Sequence, residues 1–223
     1  MKKCWTSALI TGFFLFAIVA MANAAPTLNV DFGYAGDFKY NGLGAAPDSP
    51  TSITWNHLDF YGGNSLLYSD GTSAKGIGVS TMASQSFSDG DYALVGDRIF
   101  VVNSWDKFTV TVSGLNDGLK YNLYAYGSHP SYASTYTVGT ISDYALGKKN
   151  DYPFLYHDNY ALLSQISPTD GKIVINVDRY PGSSAAVIGG FQLQATPVPI
   201  PPSILLLAPG LLGLIGFKRK YLG

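Results

Sequence analysis

Lys107-Phe108-Thr109-Val110-Thr111-Val112-Ser113 alternates apolar and hydroxyl-bearing side chains without a break. Successive side chains of a strand point to opposite faces, so Phe108, Val110 and Val112 share one face and Thr109, Thr111 and Ser113 the other. That is a strand with one buried and one wet side. Working outward, residues 172–177 repeat the pattern with Ile173, Ile175 and Val177 inward. Residues 28–32, 76–80, 98–103, 120–126, 134–138 and 186–194 also read as strands. Nothing reads as a long helix, and the irregular stretch 139–160 reads as a long loop. Asp-Gly pairs at Asp70-Gly71, Asp89-Gly90, Asp117-Gly118 and Asp170-Gly171 supply turns, because Gly accepts positive φ without steric cost. Eight or more strands joined this way predict an all-β fold, a single jelly-roll-like antiparallel β-sandwich.

Composition points the same way. All 15 acidic residues are Asp, while Gly, Tyr, Thr and Ser are abundant. Glu favours helices, Asp and Gly favour turns, and Tyr and Thr favour strands. Within Leu115-Asn116-Asp117-Gly118-Leu119-Lys120-Tyr121 the pattern resembles the tyrosine corner of Greek-key sandwiches, which makes Tyr121 a structural residue whose hydroxyl bonds back to the connection.

The ends differ from the middle. Lys2 and Lys3 precede an apolar run over residues 8–21, and Ala22-Asn23-Ala24 follows, the order of a secretory signal peptide with cleavage expected after Ala24. The alternative is an uncleaved membrane anchor, for which the run is short. At residue 197 the sequence turns to Pro197-Val198-Pro199-Ile200-Pro201-Pro202, a stiff extended linker that cannot continue a ladder. An apolar run over 204–217 and the basic stop Lys218-Arg219-Lys220 come next. The expected organisation is a signal peptide (1–24), a β-sandwich (25–196), a proline linker (197–203), a short transmembrane helix (204–217) and a basic cytoplasmic end (218–223). The sole cysteine, Cys4, lies ahead of the apolar run, so residues 25–223 carry no disulfide and no thiolate chemistry.

The tail resembles the PEP-CTERM family of sorted bacterial proteins. Val198-Pro199-Ile200-Pro201 stands in the place of its sorting motif, as a Val-Pro-Leu-Pro-like variant with Ile200 where the name-giving motif has Glu. The resemblance covers about a tenth of the chain. It implies recognition by an exosortase-type processing enzyme and export through the inner membrane. Transient anchoring by the tail, cleavage, and a cell-surface or extracellular destination linked to polysaccharide would follow. More weakly, Val30-Asp31-Phe32-Gly33, Val112-Ser113-Gly114-Leu115 and Ile188-Gly189-Gly190-Phe191-Gln192-Leu193 are similar to the galactose-binding-like β-sandwiches often found in such proteins.

Chemistry in the middle is sparse. Residues 25–196 hold 9 basic and 15 acidic residues, net −6, so no basic face is offered to a nucleic acid. The same charge makes polyanionic glycans poor partners unless calcium bridges them. His57, His129 and His157 lack metal-ligand spacing and read as surface or loop residues. There is no Glu to complete a usual glycosidase pair, and no nucleophile elbow, P-loop or dinucleotide fingerprint. Asp70, Asp89 and Asp91 are candidate ligands for a structural calcium, with turn formation as the competing reading. Trp55, Trp105, Tyr132, Tyr136, Tyr152, Tyr156 and Tyr160 fall in or beside loops. Such rings can stack on sugars or serve the core. The expected function is a non-catalytic exported module that binds polysaccharide. A self-associating matrix protein is the second reading and a secreted hydrolase the third.

Overall fold

The computed structural model describes residues 26–34, 39–47, 53–87, 94, 98–100, 106–129, 131–148 and 153–196. The signal segment, the linker, the apolar tail and the basic stop lie outside the described residues. Among the described residues there is no helix, and every regular element is a strand. In chain order these are β1 (Leu28–Phe32), β2 (Asn56–Leu58), β3 (Gly78–Thr81), β4 (Gln85–Phe87), β5 (Arg98–Phe100), β6 (Lys107–Ser113), β7 (Lys120–Tyr126), β8 (Ser134–Val138), β9 (Ile141–Ala145), β10 (Tyr160–Ile166), β11 (Lys172–Arg179) and β12 (Gly190–Thr196).

Two five-stranded sheets result, one in the order β10-β7-β12-β1-β2 and one in the order β3-β6-β11-β8-β9, with β4 and β5 as a separate pair. Pairing is antiparallel except for β2, which joins β1 in parallel. Leu28, Val30, Leu123, Ala125, Leu163, Phe191 and Leu193 of the first sheet share one buried cluster with Val79, Phe108, Val110, Val112, Tyr136, Ile173, Ile175 and Val177 of the second. Two sheets facing across one apolar layer is the arrangement of a β-sandwich.

The strand that decided the reading, β6, shows the expected alternation: Phe108, Val110 and Val112 are buried, while Thr109, Thr111 and Ser113 are half-exposed. Its register with β11 sets Val110 opposite Ile175 and Val112 opposite Ile173. The following turn closes as anticipated, since the Asn116 backbone N–H donates to the Tyr121 hydroxyl at 3.2 Å. Asp170 and Gly171 both take positive φ and form a two-residue turn between Thr169 and Lys172. Asp117 fastens the two turns together by accepting the Gly171 N–H at 2.8 Å.

Residues 139–160 are not one long loop. They contain β9, which pairs with β8 from Ser134–Ala145 to Val138–Ile141 around a tight turn at Gly139. The outer face of the first sheet also departs from the one-wet-face expectation. Asn29, Asp31, Gln192 and Gln194 point outward yet are buried, because residues 40–47 lie across Asp31, Gln192 and Gln194 while Asn29 bonds to Gln192 and to the Thr54 carbonyl. Ala46, Trp55, Leu94, Tyr124, Tyr126 and Phe154 form a second, smaller cluster on that face.

Candidate functional site

A row of stacked aromatic rings with an exposed end lies beside β9 and the start of β10. Tyr144 of β9 stacks on His157 with ring centroids 4.2 Å apart and planes 10° apart. His157 stacks on Tyr156 at 3.8 Å and 27°. Two near-parallel rings at those distances sandwich the imidazole, and Tyr180 extends the row at 4.9 Å from Tyr144. Tyr156, at the outer end, is 51% exposed.

The loop that presents the stack is fixed by hydrogen bonds. His157 adopts φ 64, a left-handed conformation that costs a non-glycine residue about 1–2 kcal/mol. It is held there by its N–H to the Tyr160 carbonyl at 2.8 Å and by the Leu146 N–H to its own carbonyl at 2.8 Å. Its Nε2 meets Asp143 Oδ1 at 2.9 Å, while Asp143 Oδ2 accepts the Leu162 N–H at 2.7 Å. One carboxylate therefore ties the imidazole and the adjoining strand β10 to β9. Fully buried Asn159 accepts the Leu155 N–H and donates to the Lys148 carbonyl, and Lys148 pairs with Asp158 at 2.8 Å. Desolvation, then the hydrogen bond and charge of Asp143, raise the Tyr156 phenol above its ordinary pKa.

This arrangement offers a flat ring face with a polar hydroxyl tip, backed by rigid support. A phenol so placed can lie against the C–H face of a pyranose while its hydroxyl is anchored by Asp143.

The residues singled out from sequence divide sharply. Tyr156 and Tyr160 are brought together at 5.7 Å. Tyr136 is fully buried, its hydroxyl shared between the carbonyls of Tyr126 and Val187 at 3.2 and 3.1 Å, so its assignment to ligand contact is corrected to a core role. Trp55 is likewise corrected: it is 8% exposed, its indole N–H donates to Gly42 and its ring meets Tyr40 edge-on. Tyr132 is half-buried under the Arg98 guanidinium at 5.1 Å and packs on His129, with no ring contact to the stack. Trp105, Tyr152, Asp89 and Asp91 lie outside the described residues.

Asp70 uses its carboxylate to accept both the backbone N–H and the hydroxyl of Thr72, which lowers its pKa and closes the turn. Among the described residues no three metal-ligating side chains come together.

His57 is not a surface histidine. Its side chain is 8% exposed, with Nδ1 3.0 Å from Asp31 Oδ2 and Nε2 3.1 Å from the Tyr34 carbonyl. These two contacts tie the ring to β1 and to the segment that follows it. Tyr144, Tyr180, Asp143 and the stacked position of His157 escaped the sequence reading, because no local spacing joins residues from β9, the 153–159 loop and the end of β11.

No family model matches the chain, and neither curated proteins nor solved structures show a match to it.

Proposed function

We propose that this chain is an exported, exosortase-sorted protein whose β-sandwich is a non-catalytic module for binding polysaccharide. The Tyr156–His157–Tyr144 stack carries the reading: it sets an exposed ring on a rigid base at the side of the sandwich. Export and sorting rest on the Ala22-Asn23-Ala24 segment and on the Val198-Pro199-Ile200-Pro201 tail with its basic stop. We also assign the sandwich a jelly-roll topology. Its support is the interleaving of β1-β12-β7-β10 in one sheet with β6-β11-β8-β9 in the other, as the chain repeatedly crosses between sheets.

Affinity electrophoresis of the full-length protein through neutral polysaccharide gels tests the binding role. Retardation by at least one polymer, reduced roughly fivefold to tenfold in Tyr156→Ala, is the expected result; losing one stacked ring removes about 1 kcal/mol or slightly more. Unretarded migration through every polymer, with concentration-dependent self-association in sedimentation, would replace the binding role by that of a self-packing matrix protein. Export is tested separately by the N-terminal sequence of the secreted form, which should begin at Ala25.

A further inference from the structure

We infer that a second subsite, distinct from the aromatic stack, binds the carboxylates of an acidic polysaccharide. It is an open groove of about 580 Å³ between the β8–β9 turn and the β10–β11 connection. Lys120 and Lys172 both line it. Neither pairs with a carboxylate among the described residues, in contrast to Lys148 and Arg179, which are matched to Asp158 and Asp106. Lys120 is instead positioned by donating from Nζ to the Ser167 hydroxyl. Asp170 is the acidic residue lining the groove, so two ammonium groups face one carboxylate within a domain whose overall charge is negative.

The groove is also shaped for a sugar chain. Ile141 and Val174, 37% and 42% exposed, give it an apolar floor suited to the C–H face of a pyranose. Its wall is held open by a bulge in β10 between Leu163 and Ile166, where Gln165 takes φ 59 and its N–H donates to Asn122 Oδ1 at 3.1 Å. A cation at the rim of an apolar trough selects a ligand that is flat, apolar on one face and anionic at its edge, which describes a uronate-containing glycan.

The inference rests on the polysaccharide-binding reading and extends it along the fold. Tyr160 adjoins Tyr156 and Gln165 walls the groove, and the two stand on one strand five residues apart, a separation of roughly 17 Å. One glycan strand lying along the β9–β10 side reaches both the ring and the lysines.

The test compares the full-length protein's affinity for polygalacturonate and for the same polymer fully methyl-esterified, which keeps the sugar backbone and removes the charge. Wild type should bind the acid form about tenfold more tightly at low salt, the scale expected of two exposed ionic contacts. Lys120→Gln/Lys172→Gln should abolish that preference, bringing the affinity for the acid form down to that for the ester. Single Lys172→Glu, at an exposed position, gives a second reading should the double variant be unstable. Equal affinity of wild type for both polymers, or a lysine variant that keeps the preference, overturns the proposal. Tyr156→Ala should weaken both polymers alike. If it weakens neither while the lysine variant removes the preference, the stack reading fails and the groove stands.

Discussion

The phenol O–H of Tyr126 donates to Gln192 Oε1 at 2.6 Å, joining β7 to β12 on the covered face of the first sheet. The same phenol accepts the Ala45 N–H at 2.6 Å, Gln192 Oε1 accepts the Ala46 N–H at 2.9 Å, and Gln192 Nε2 donates to Asn29 at 2.9 Å. This polar layer fastens residues 40–47 to the sheet. Tyr126→Phe keeps the ring and leaves the Ala45 N–H unsatisfied, so it should cost about 1–3 kcal/mol. In a domain of this size that lowers Tm by about 2–4 °C for each kcal/mol. Calorimetry showing an unchanged Tm would mean that water replaces the phenol without penalty.

Tyr126 and Tyr136 also set an alkaline limit. Burial raises both phenols above their ordinary value of 10.0. Unfolding returns them to that value, so their contribution is complete below pH 10. It is lost as the pH rises further, because the unfolded chain ionises while the folded one stays neutral. Each phenol should steepen the decline by about 1.4 kcal/mol per pH unit above 10. Urea denaturation at pH 8, 9, 10 and 11 measures it, and Tyr136→Phe should remove about half of the alkaline slope attributable to the pair.

Two glycines should respond very differently to alanine. Gly114 sits at φ 79, and an added Cβ would stand 1.9 Å from the Gly76 carbonyl oxygen. Gly139 has φ 59 and nothing within 4 Å of that position. Gly139→Ala should cost about 1 kcal/mol, the conformational penalty alone. Gly114→Ala adds a backbone collision and should cost about 3 kcal/mol. Equal losses in chemical denaturation would show that the 76–77 segment yields freely.

Asp143→Asn tests the charge behind the stack. The amide can still accept from the Leu162 N–H, so the change in stability should stay within about 1 kcal/mol. Removing the carboxylate charge should bring the Tyr156 phenol down toward its usual range, since Asp143 contributes to raising it. Ultraviolet titration of the phenols, differenced against Tyr156→Phe, reads that shift.

The all-β class and several strand limits were legible because period two survives wherever one face is wet. β6, β7 and β8 fall at the expected residues. The pattern fails where both faces are covered. In β10, Ala161 and Leu163 face the main core while Leu162 packs into the outer cluster, so Ala-Leu-Leu loses its alternation. In β1, Asn29 and Asp31 alternate with the core residues Leu28, Val30 and Phe32 and are nevertheless buried, Asp31 beneath residues 40–47 like Gln192 of β12. Trp55 and Tyr136 proved to be core residues for a related reason. A loop tyrosine and a core tyrosine share one composition, and only tertiary placement separates exposed Tyr156 from Tyr136.

The pairing of β1 with β12, Leu28 opposite Leu193, brings the beginning and the end of the sandwich to the same pole. Tyr160 pairs with Tyr126, which pairs with Gly190, so the stack adjoins the opposite pole. A pull between the two ends of the domain would therefore part β1 from β12 one hydrogen bond at a time, like a zipper. A pull between Thr196 and the Tyr156 loop runs along β12, β7 and β10, perpendicular to their hydrogen bonds, and loads whole ladders at once in shear. The same sandwich is mechanically weak between its two ends and strong between Thr196 and the pole that carries Tyr156.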